Sequence, residues 1–209
     1  MIIAIGLYQG FTALDAIGPY EILTYLPDAE VVICAENAGV VDDHNGLVHL
    51  RVDKTFADVP RPDVVLVPGG PVAGQYARDG HAIVDWIRQA HRHTTWTTSV
   101  CTGALLLGAA GLLDGLSATT HWAFYDELAS YGARPTEQRV VTSGRIVTGA
   151  GVSAGIDLAL TLAADIAGPQ VAQTIQLAIE YDPHPPFDAG APSKAPKAVY
   201  DMAVAALGD

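Results

Sequence analysis

Apolar residues occur in five short runs, each bounded by residues that favour turns. The runs cover residues 1–8, 30–36, 63–70, 95–101 and 145–151. In several of them the apolar residues follow one another without alternating with polar ones, which is typical of strands covered on both faces. We therefore predict that these runs form the strands of a buried sheet.

Stretches with helical periodicity separate these runs. In DGHAIVDWIRQAHRH (79–93), Ile83, Ile87 and Ala90 lie on one apolar stripe. Alternating strands and helices predict the α/β class, with a doubly wound, mostly parallel sheet and helices on both faces. The predicted helices cover 12–26 (interrupted at Gly18-Pro19), 79–93, 103–111, 121–131 and 153–166.

Two segments fall outside this alternation. Residues 40–58 have the pattern of a hairpin or of added edge strands, and the proline-rich residues 180–196 predict an extended stretch before a short terminal helix. No repeat or long linker interrupts the chain. We predict a single domain over 1–209, with 180–209 packing on it.

Composition and charge restrict the function. Among the 209 residues, 11 Lys and Arg stand against 23 Asp and Glu, a net charge of −12. Such an acidic surface is a poor partner for nucleic acid or anionic lipid. No basic leader and no membrane-length apolar stretch are visible. The two cysteines, Cys34 and Cys101, are interpreted as free thiols, which predicts a cytoplasmic protein without nucleic-acid or membrane partners.

One of the cysteines lies where a strand gives way to a helix. Ligands of open α/β sheets bind at the carboxyl ends of the strands, and Cys101 in SVCTG (99–103) follows such a strand. This pattern resembles the nucleophile elbow, in which a reactive side chain occupies a sharp turn. Backbone N–H groups at the helix start are expected to lower the thiol pKa. Cys34 is predicted to be a buried packing residue.

A nucleophile also needs a proton donor or acceptor. Asp15 follows the first strand and is predicted to lie at the same sheet edge as Cys101, where burial and a neighbouring thiolate would raise its pKa. Two alternatives stay open. Thr12 and Asp15 have the spacing of a capping box, and Glu21 could be the acid instead.

Three further features are candidates for the site. Gly69 and Gly70 in VPGG could offer N–H groups to an oxyanion, or form an ordinary turn, and TGAGVSAG (148–155) predicts another wall of the cleft. His121 could be a base for Cys101 or a residue at a helix start. No pattern predicts a metal site or a dinucleotide site.

Together, VPGG, SVCTGALLLGAAGLLDG, ATTHW and GAGVSAGIDLALTLA resemble the ThiJ/PfpI superfamily over nearly the whole chain. LDAIGPYEIL, with Asp15, and QLAIEYDPHPPFDAG are similar to its isocyanide hydratase branch. The resemblance implies a homodimeric flavodoxin-like protein without a cofactor, which hydrates an isocyanide to an N-substituted formamide through a thioimidate.

The resemblance also implies roles for individual residues. Cys101 attacks the isocyanide carbon, Asp15 is the general acid and base, and Thr102 contacts the sulfur or the bound water. Backbone around Gly70 and Val152 lines the pocket. Ala150 and Val152 stand where glycine and isoleucine are typical of the branch, which bears on pocket width.

Other functions of the same thiol stay open. A glyoxalase or amidase-like hydrolase of this superfamily would need His121 as the partner of Cys101. A non-enzymatic redox-sensing or ligand-binding module would have Cys101 oxidised rather than turned over.

Overall fold

Buried strands form the centre of the fold, which is seen in a computed structural model that describes residues 1–208. All four residues of the strand VVLV (64–67) are buried, as the unbroken apolar run predicted. In chain order the strands are β1 (Ile2–Gly6), β2 (Glu30–Ala35), β3 (Gly39–Asp42), β4 (His49–Val52), β5 (Lys54–Thr55), β6 (Val64–Val67), β7 (Trp96–Val100), β8 (Ser117–Ala118), β9 (Arg134–Pro135), β10 (Val140–Ser143) and β11 (Ile146–Gly149).

Seven of these strands form the main sheet, in the order β10-β11-β7-β6-β1-β2-β5. Every neighbouring pair is parallel except β10 and β11. The five predicted strands are its central five, and their order matches the 2-1-3-4-5 arrangement of flavodoxin-like proteins. Because β1, β6, β7 and β11 are parallel to one another, their carboxyl ends lie at one edge of the sheet.

Helices cover both faces of this sheet. They are α1 (Ala13–Leu23), α2 (Ala73–Asp79), α3 (Ala82–Ala90), α4 (Gly103–Ala109), α5 (Tyr125–Ser130), α6 (Ala154–Ala167), α7 (Pro169–Ala178) and α8 (Lys197–Gly208). On β7, Thr97 bonds His91 at the end of α3 at 2.8 Å, whereas Val100 lies beneath Gly155 of α6. Alternate residues of a strand point to opposite faces, so α3 and α6 lie on opposite sides, as predicted.

The structure corrects one predicted helix and confirms the prediction for residues 40–58. Residues 79–93 are not one helix, because Gly80 takes a left-handed φ of 69° that ends α2, and His81 caps a separate α3. Within 40–58, the predicted hairpin is the antiparallel pair β3–β4, and β5 adds an edge strand to the main sheet.

The chain divides into two compact units, Met1–Ile179 and Glu180–Asp209. The first contains the main sheet with α1 to α7. The second contains the extended proline-rich stretch and α8. That this second unit packs on the domain stays a prediction. None of the helices in residues 1–208 has the length and apolar character that a membrane span requires.

Candidate active site

Four segments that each follow a parallel strand form the candidate site. They are residues 8–15 after β1, 68–70 after β6, 101–102 after β7 and 150–152 after β11. This is the sheet edge at which open α/β proteins bind ligands. The structure therefore brings together Asp15, Gly70, Cys101, Thr102 and Val152, which are far apart in sequence.

The backbone of Cys101 has the geometry of a nucleophile elbow. Its φ is 56°, a left-handed value that is rare for a residue with a Cβ. The Cys101 N–H donates to the carbonyl groups of Gly149 (3.1 Å) and Ala150 (2.9 Å), and the Thr120 hydroxyl donates to the Cys101 carbonyl at 2.8 Å. These bonds stabilise the strained turn from both sides of the residue.

Glycines allow the segments to approach the elbow. A Cβ on Gly103 would lie 2.4 Å from the Val67 carbonyl oxygen. A Cβ on Gly69 would lie 2.6 Å from the Thr102 nitrogen and 2.9 Å from Asp15 Oδ2. All three distances are shorter than real Cβ contacts, so these segments cannot pack as they do with a side chain at either position.

Asp15 is fully buried in the first turn of α1, with its carboxyl next to Cys101. The Gly69 N–H donates to Oδ2 at 2.9 Å, and Oδ1 has no hydrogen-bond partner within the described residues. Burial raises the pKa of Asp15 from 3.8 to about 7, while the bond from Gly69 and the contact with Cys101 oppose that rise. The pKa is raised by burial, as predicted, but the predicted upward effect of the neighbouring Cys101 is wrong, because the contact with Cys101 lowers the pKa of Asp15.

Two alternatives were open, a capping role for Asp15 and Glu21 as the acid, and both lose their support. Thr12 is the residue before α1, but its side chain makes no capping bond, and the Asp15 carboxyl faces Gly69 instead. The capping-box interpretation is therefore wrong. Glu21 lies on the exposed side of α1, away from the buried face that carries Asp15.

The Cys101 thiol is less acidic than predicted, because its pKa is raised rather than lowered. Burial, and then the charge of Asp15, raise the pKa of Cys101 to about 12. The N–H groups of Val152 and Thr102 and the Thr102 hydroxyl lower it, as expected at a helix start, but by less. The predicted lowered pKa is wrong because desolvation outweighs these donors. The sulfur can therefore act as a thiolate only when Asp15 takes its proton.

The paired glycines do not form a free oxyanion site. The Gly69 N–H donates to Asp15, and the Gly70 N–H donates to Thr102 Oγ1 at 2.9 Å. The Thr102 hydroxyl in turn donates to the Gly70 carbonyl at 3.0 Å. The oxyanion hypothesis fails because side chains of the site already use both amides. These bonds instead join the glycine turn to the residues that carry the chemistry.

The last wall of the site contains Val152 and, behind it, His121. The Val152 amide reaches the sulfur of Cys101. A Cβ on Gly151 would lie 2.8 Å from His121 Cδ2, so the imidazole packs against this loop. His121 Nδ1 accepts the Ala123 N–H at 3.4 Å, and burial lowers the pKa of His121. These contacts support the alternative that His121 starts a helical turn.

Sequence reasoning missed Tyr8. Its side chain is buried at the end of the first strand segment, and its hydroxyl donates to the Pro68 carbonyl at 2.9 Å. Asp15 and Cys101 lie near enough for their charges to raise the pKa of Tyr8. A lone tyrosine after an apolar run also suits a packing role, so its position alone did not indicate the site.

The other cysteine has a packing role. Cys34 is a fully buried free thiol, and burial raises its pKa to about 12, which confirms the prediction for this residue. Among residues 1–208, no cluster of three His, Cys, Asp or Glu side chains is arranged to hold a metal ion.

Comparison with known proteins places this geometry among relatives. Residues 1–165 match the DJ-1/PfpI family. An isonitrile hydratase from Pseudomonas putida is 47% identical over 197 residues, which make up 94% of this chain and 86% of that protein. The crystal structure of a ThiJ/PfpI family protein from Pseudomonas syringae has a TM-score of 0.94 at 36% identity, with 99% of this chain and 86% of that chain covered.

A more distant relative has a different activity in its name. A glutathione-independent glyoxalase from Caenorhabditis elegans is 26% identical over 155 residues, which cover 73% of this chain and 77% of that protein. This chain is therefore similar to relatives that are named for two different reactions.

Proposed function

The chain belongs to the DJ-1/PfpI family, which confirms the resemblance in its motifs, and from this premise we propose that it is an isocyanide hydratase. It adds water to an isocyanide and releases an N-substituted formamide, with Cys101 as nucleophile and Asp15 as general acid and base. The observation that carries the proposal is the buried Asp15 carboxyl beside the Cys101 elbow. The identity to the Pseudomonas putida isonitrile hydratase supports the choice of substrate class.

The first half of the reaction joins substrate to enzyme. Asp15 and Cys101 together hold one proton at pH values above about 7, because the pKa of Asp15 is about 7 and that of Cys101 is about 12. The sulfur forms a bond to the terminal isocyanide carbon, and the shared proton passes from Asp15 to the same carbon. The carbon–nitrogen triple bond becomes a double bond, which gives a thioimidate and leaves Asp15 as a carboxylate.

The second half releases the product. The Asp15 carboxylate takes a proton from water as the water oxygen bonds to the thioimidate carbon, and the imine nitrogen receives that proton. The carbon–sulfur bond then breaks, the new hydroxyl loses its proton to Asp15, and the formamide leaves. The pair returns to its starting state with one proton. Two steps with lower barriers replace one difficult addition, which is the usual gain of covalent catalysis.

Thr102 and Val152 support the sulfur in both halves. Their backbone N–H groups stabilise negative charge on it, both before attack and when it leaves the product. Gly70 and Val152 contribute backbone to the pocket wall. Ala150 in place of glycine adds a methyl group to this wall, whereas Val152 in place of isoleucine removes one, so the two replacements change the pocket width in opposite directions.

The test is formamide production from cyclohexyl isocyanide and from p-nitrophenyl isocyanide. Wild type is expected to turn over at least one of them, and both Cys101→Ala and Asp15→Asn are expected to lose this activity. Turnover that survives in Cys101→Ala would remove the covalent mechanism. Urea unfolding of Asp15→Asn shows whether the variant is still folded, which separates a lost proton donor from a collapsed site.

The similarity to a glyoxalase makes glyoxal chemistry the second candidate. It would require His121, so His121→Ala would cripple turnover of a glyoxal while Asp15→Asn mattered less. The packing of His121 against Gly151 argues for the reverse order. Peroxide oxidation of Cys101 without turnover of either substrate would instead favour a redox-sensing module.

We further propose that the protein acts as a cytoplasmic homodimer without a cofactor. The chain has a mass of 21.8 kDa, so light scattering of a dimer should give twice that mass. A monomer mass at micromolar concentration would contradict the dimer.

A further inference from the structure

We propose that Tyr8 is a positioning residue for the general acid, and that it acts on Asp15 through the peptide group between Pro68 and Gly69. The inference deepens the proposed function, because it concerns the same acid. The charge and orientation of this peptide group would then set the pH at which Asp15 gives up its proton.

Two hydrogen bonds carry the inference. The Tyr8 hydroxyl donates to the Pro68 carbonyl oxygen at 2.9 Å, and the Gly69 N–H donates to Asp15 Oδ2 at 2.9 Å. That carbonyl and that N–H are the two ends of one planar peptide unit. The phenol and the carboxyl therefore contact opposite ends of the same dipole.

The tyrosine is held as a donor. Its side chain is 3% exposed and packs edge-on against Tyr76, with ring centroids 5.5 Å apart. Burial, followed by the charges of Asp15 and Cys101, raises the pKa of Tyr8 well above its ordinary value. The phenol therefore keeps its proton throughout the working range, and it can only donate to the Pro68 oxygen.

Neighbouring atoms hold the peptide unit in place. The Thr12 N–H donates to the Gly69 carbonyl at 2.8 Å, which holds the residue on the C-terminal side of this peptide unit. A Cβ on Gly103 would lie 2.8 Å from the Pro68 oxygen, so α4 begins in close contact with the peptide. Removal of the Tyr8 hydroxyl therefore changes the polarisation of a peptide that other contacts keep in position.

Few other charges act at this place. Cys101 is the titratable neighbour whose contact opposes the rise of the Asp15 pKa. Glu21 on α1 and Asp165 on α6 are exposed, and Asp157 of α6 is paired with Arg139. From α2, Tyr76 packs against the Tyr8 ring. From the turn at 121–124, His121 packs against Gly151.

The physical consequence has a definite sign. A donor on a carbonyl makes the N–H of the same peptide a stronger donor, by about 10–30% per bond. A stronger N–H donor stabilises the Asp15 carboxylate and lowers its pKa. Loss of the phenol hydroxyl must therefore raise the pKa of Asp15 and move the working range of the site to higher pH.

The experiment measures the rate at which iodoacetamide alkylates Cys101 in the full-length protein, as a function of pH. Below the pKa of Asp15 both groups are protonated and the thiol is inert, so the rate should rise through an inflection near 7. In Tyr8→Phe we expect that inflection to move upward by about 0.5 pH units. Tyr20→Phe makes the same chemical change on the outer side of α1 and should leave the inflection unmoved.

A second variant covers the case in which Tyr8→Phe does not fold. Replacing Tyr8 with 3-fluorotyrosine keeps the hydroxyl and makes it a stronger donor, so the inflection should move downward. A packing role predicts no movement in either variant. Shifts smaller than about 0.2 pH units in the folded variants would overturn the inference. Because alkylation needs no isocyanide, a negative hydration assay would count against the proposed function alone.

Discussion

Asp15 should destabilise the protein at the pH where it works. Its pKa is 3.8 when the carboxyl is exposed, as in an unfolded chain, and about 7 in the folded protein, because burial disfavours the carboxylate. Between these two values the folded state binds more protons than the unfolded state, so stability falls as pH rises from about 4 to about 7. At roughly 1.36 kcal/mol per pKa unit, the loss is about 4 kcal/mol.

The perturbation that exposes this cost is Asp15→Asn, which cannot ionise. Urea unfolding of both proteins should give a difference in unfolding free energy that changes by about 4 kcal/mol between pH 4 and pH 8, in favour of the variant. A poorly matched buried amide costs about 1–3 kcal/mol at every pH, so the variant should be more stable by roughly 1–3 kcal/mol at pH 8.

The exposed carboxyl of Asp126 provides the control, since Asp126→Asn removes a charge at the surface. Its stability difference should change by much less than about 4 kcal/mol over the same pH range, because a surface carboxyl carries no burial penalty. If the difference between wild type and Asp15→Asn were constant with pH, the Asp15 carboxyl would not be desolvated as described, and its assignment as an acid near neutral pH would fail.

Three other substitutions test the local geometry. Gly69→Ala should cost about 1–3 kcal/mol of unfolding free energy and most of the hydratase turnover, because the added Cβ has no space. As a control, Gly190→Ala should change the unfolding free energy by less than about 0.5 kcal/mol, because nothing lies within 4 Å of the added Cβ. Thr12→Ala should cost less than about 0.5 kcal/mol in urea unfolding, and a loss near 1 kcal/mol would indicate a helix cap after all. Thr120→Val leaves the Cys101 carbonyl without its donor, so a loss of about 1–3 kcal/mol is expected, and an unchanged melting curve would refute that role.

The core of the fold could be predicted from the pattern because burial on both faces leaves an unbroken apolar run. The run VVLV in β6 is such a case, and all four residues are buried. The edge strand β10 was missed, since only one of its four residues is buried and its apolar part is limited to Val140 and Val141. The helix α7 was missed as well, because the pair Gly168-Pro169 has the pattern of a turn, although proline is also common at the first helical position.

The site was predictable to the level of residues but not of hydrogen bonds. Cys101 and Asp15 follow parallel strands, and chain topology alone places such residues at one edge of the sheet. The use of the Gly70 amide by Thr102 depends on atomic distances of 2.9 and 3.0 Å, which no pattern of residue types encodes. The acidity of the thiol was misjudged because the depth of burial is a property of the packed protein.

The two groups that share a proton are separated by 85 other residues along the chain, and they meet only where β1 and β7 join the sheet on either side of β6. A newly synthesised or unfolded chain therefore carries a cysteine of ordinary reactivity, with no acid at hand. Proton transfer between the two groups becomes possible only after these strands have paired, so recovery of hydratase turnover can report the pairing during refolding.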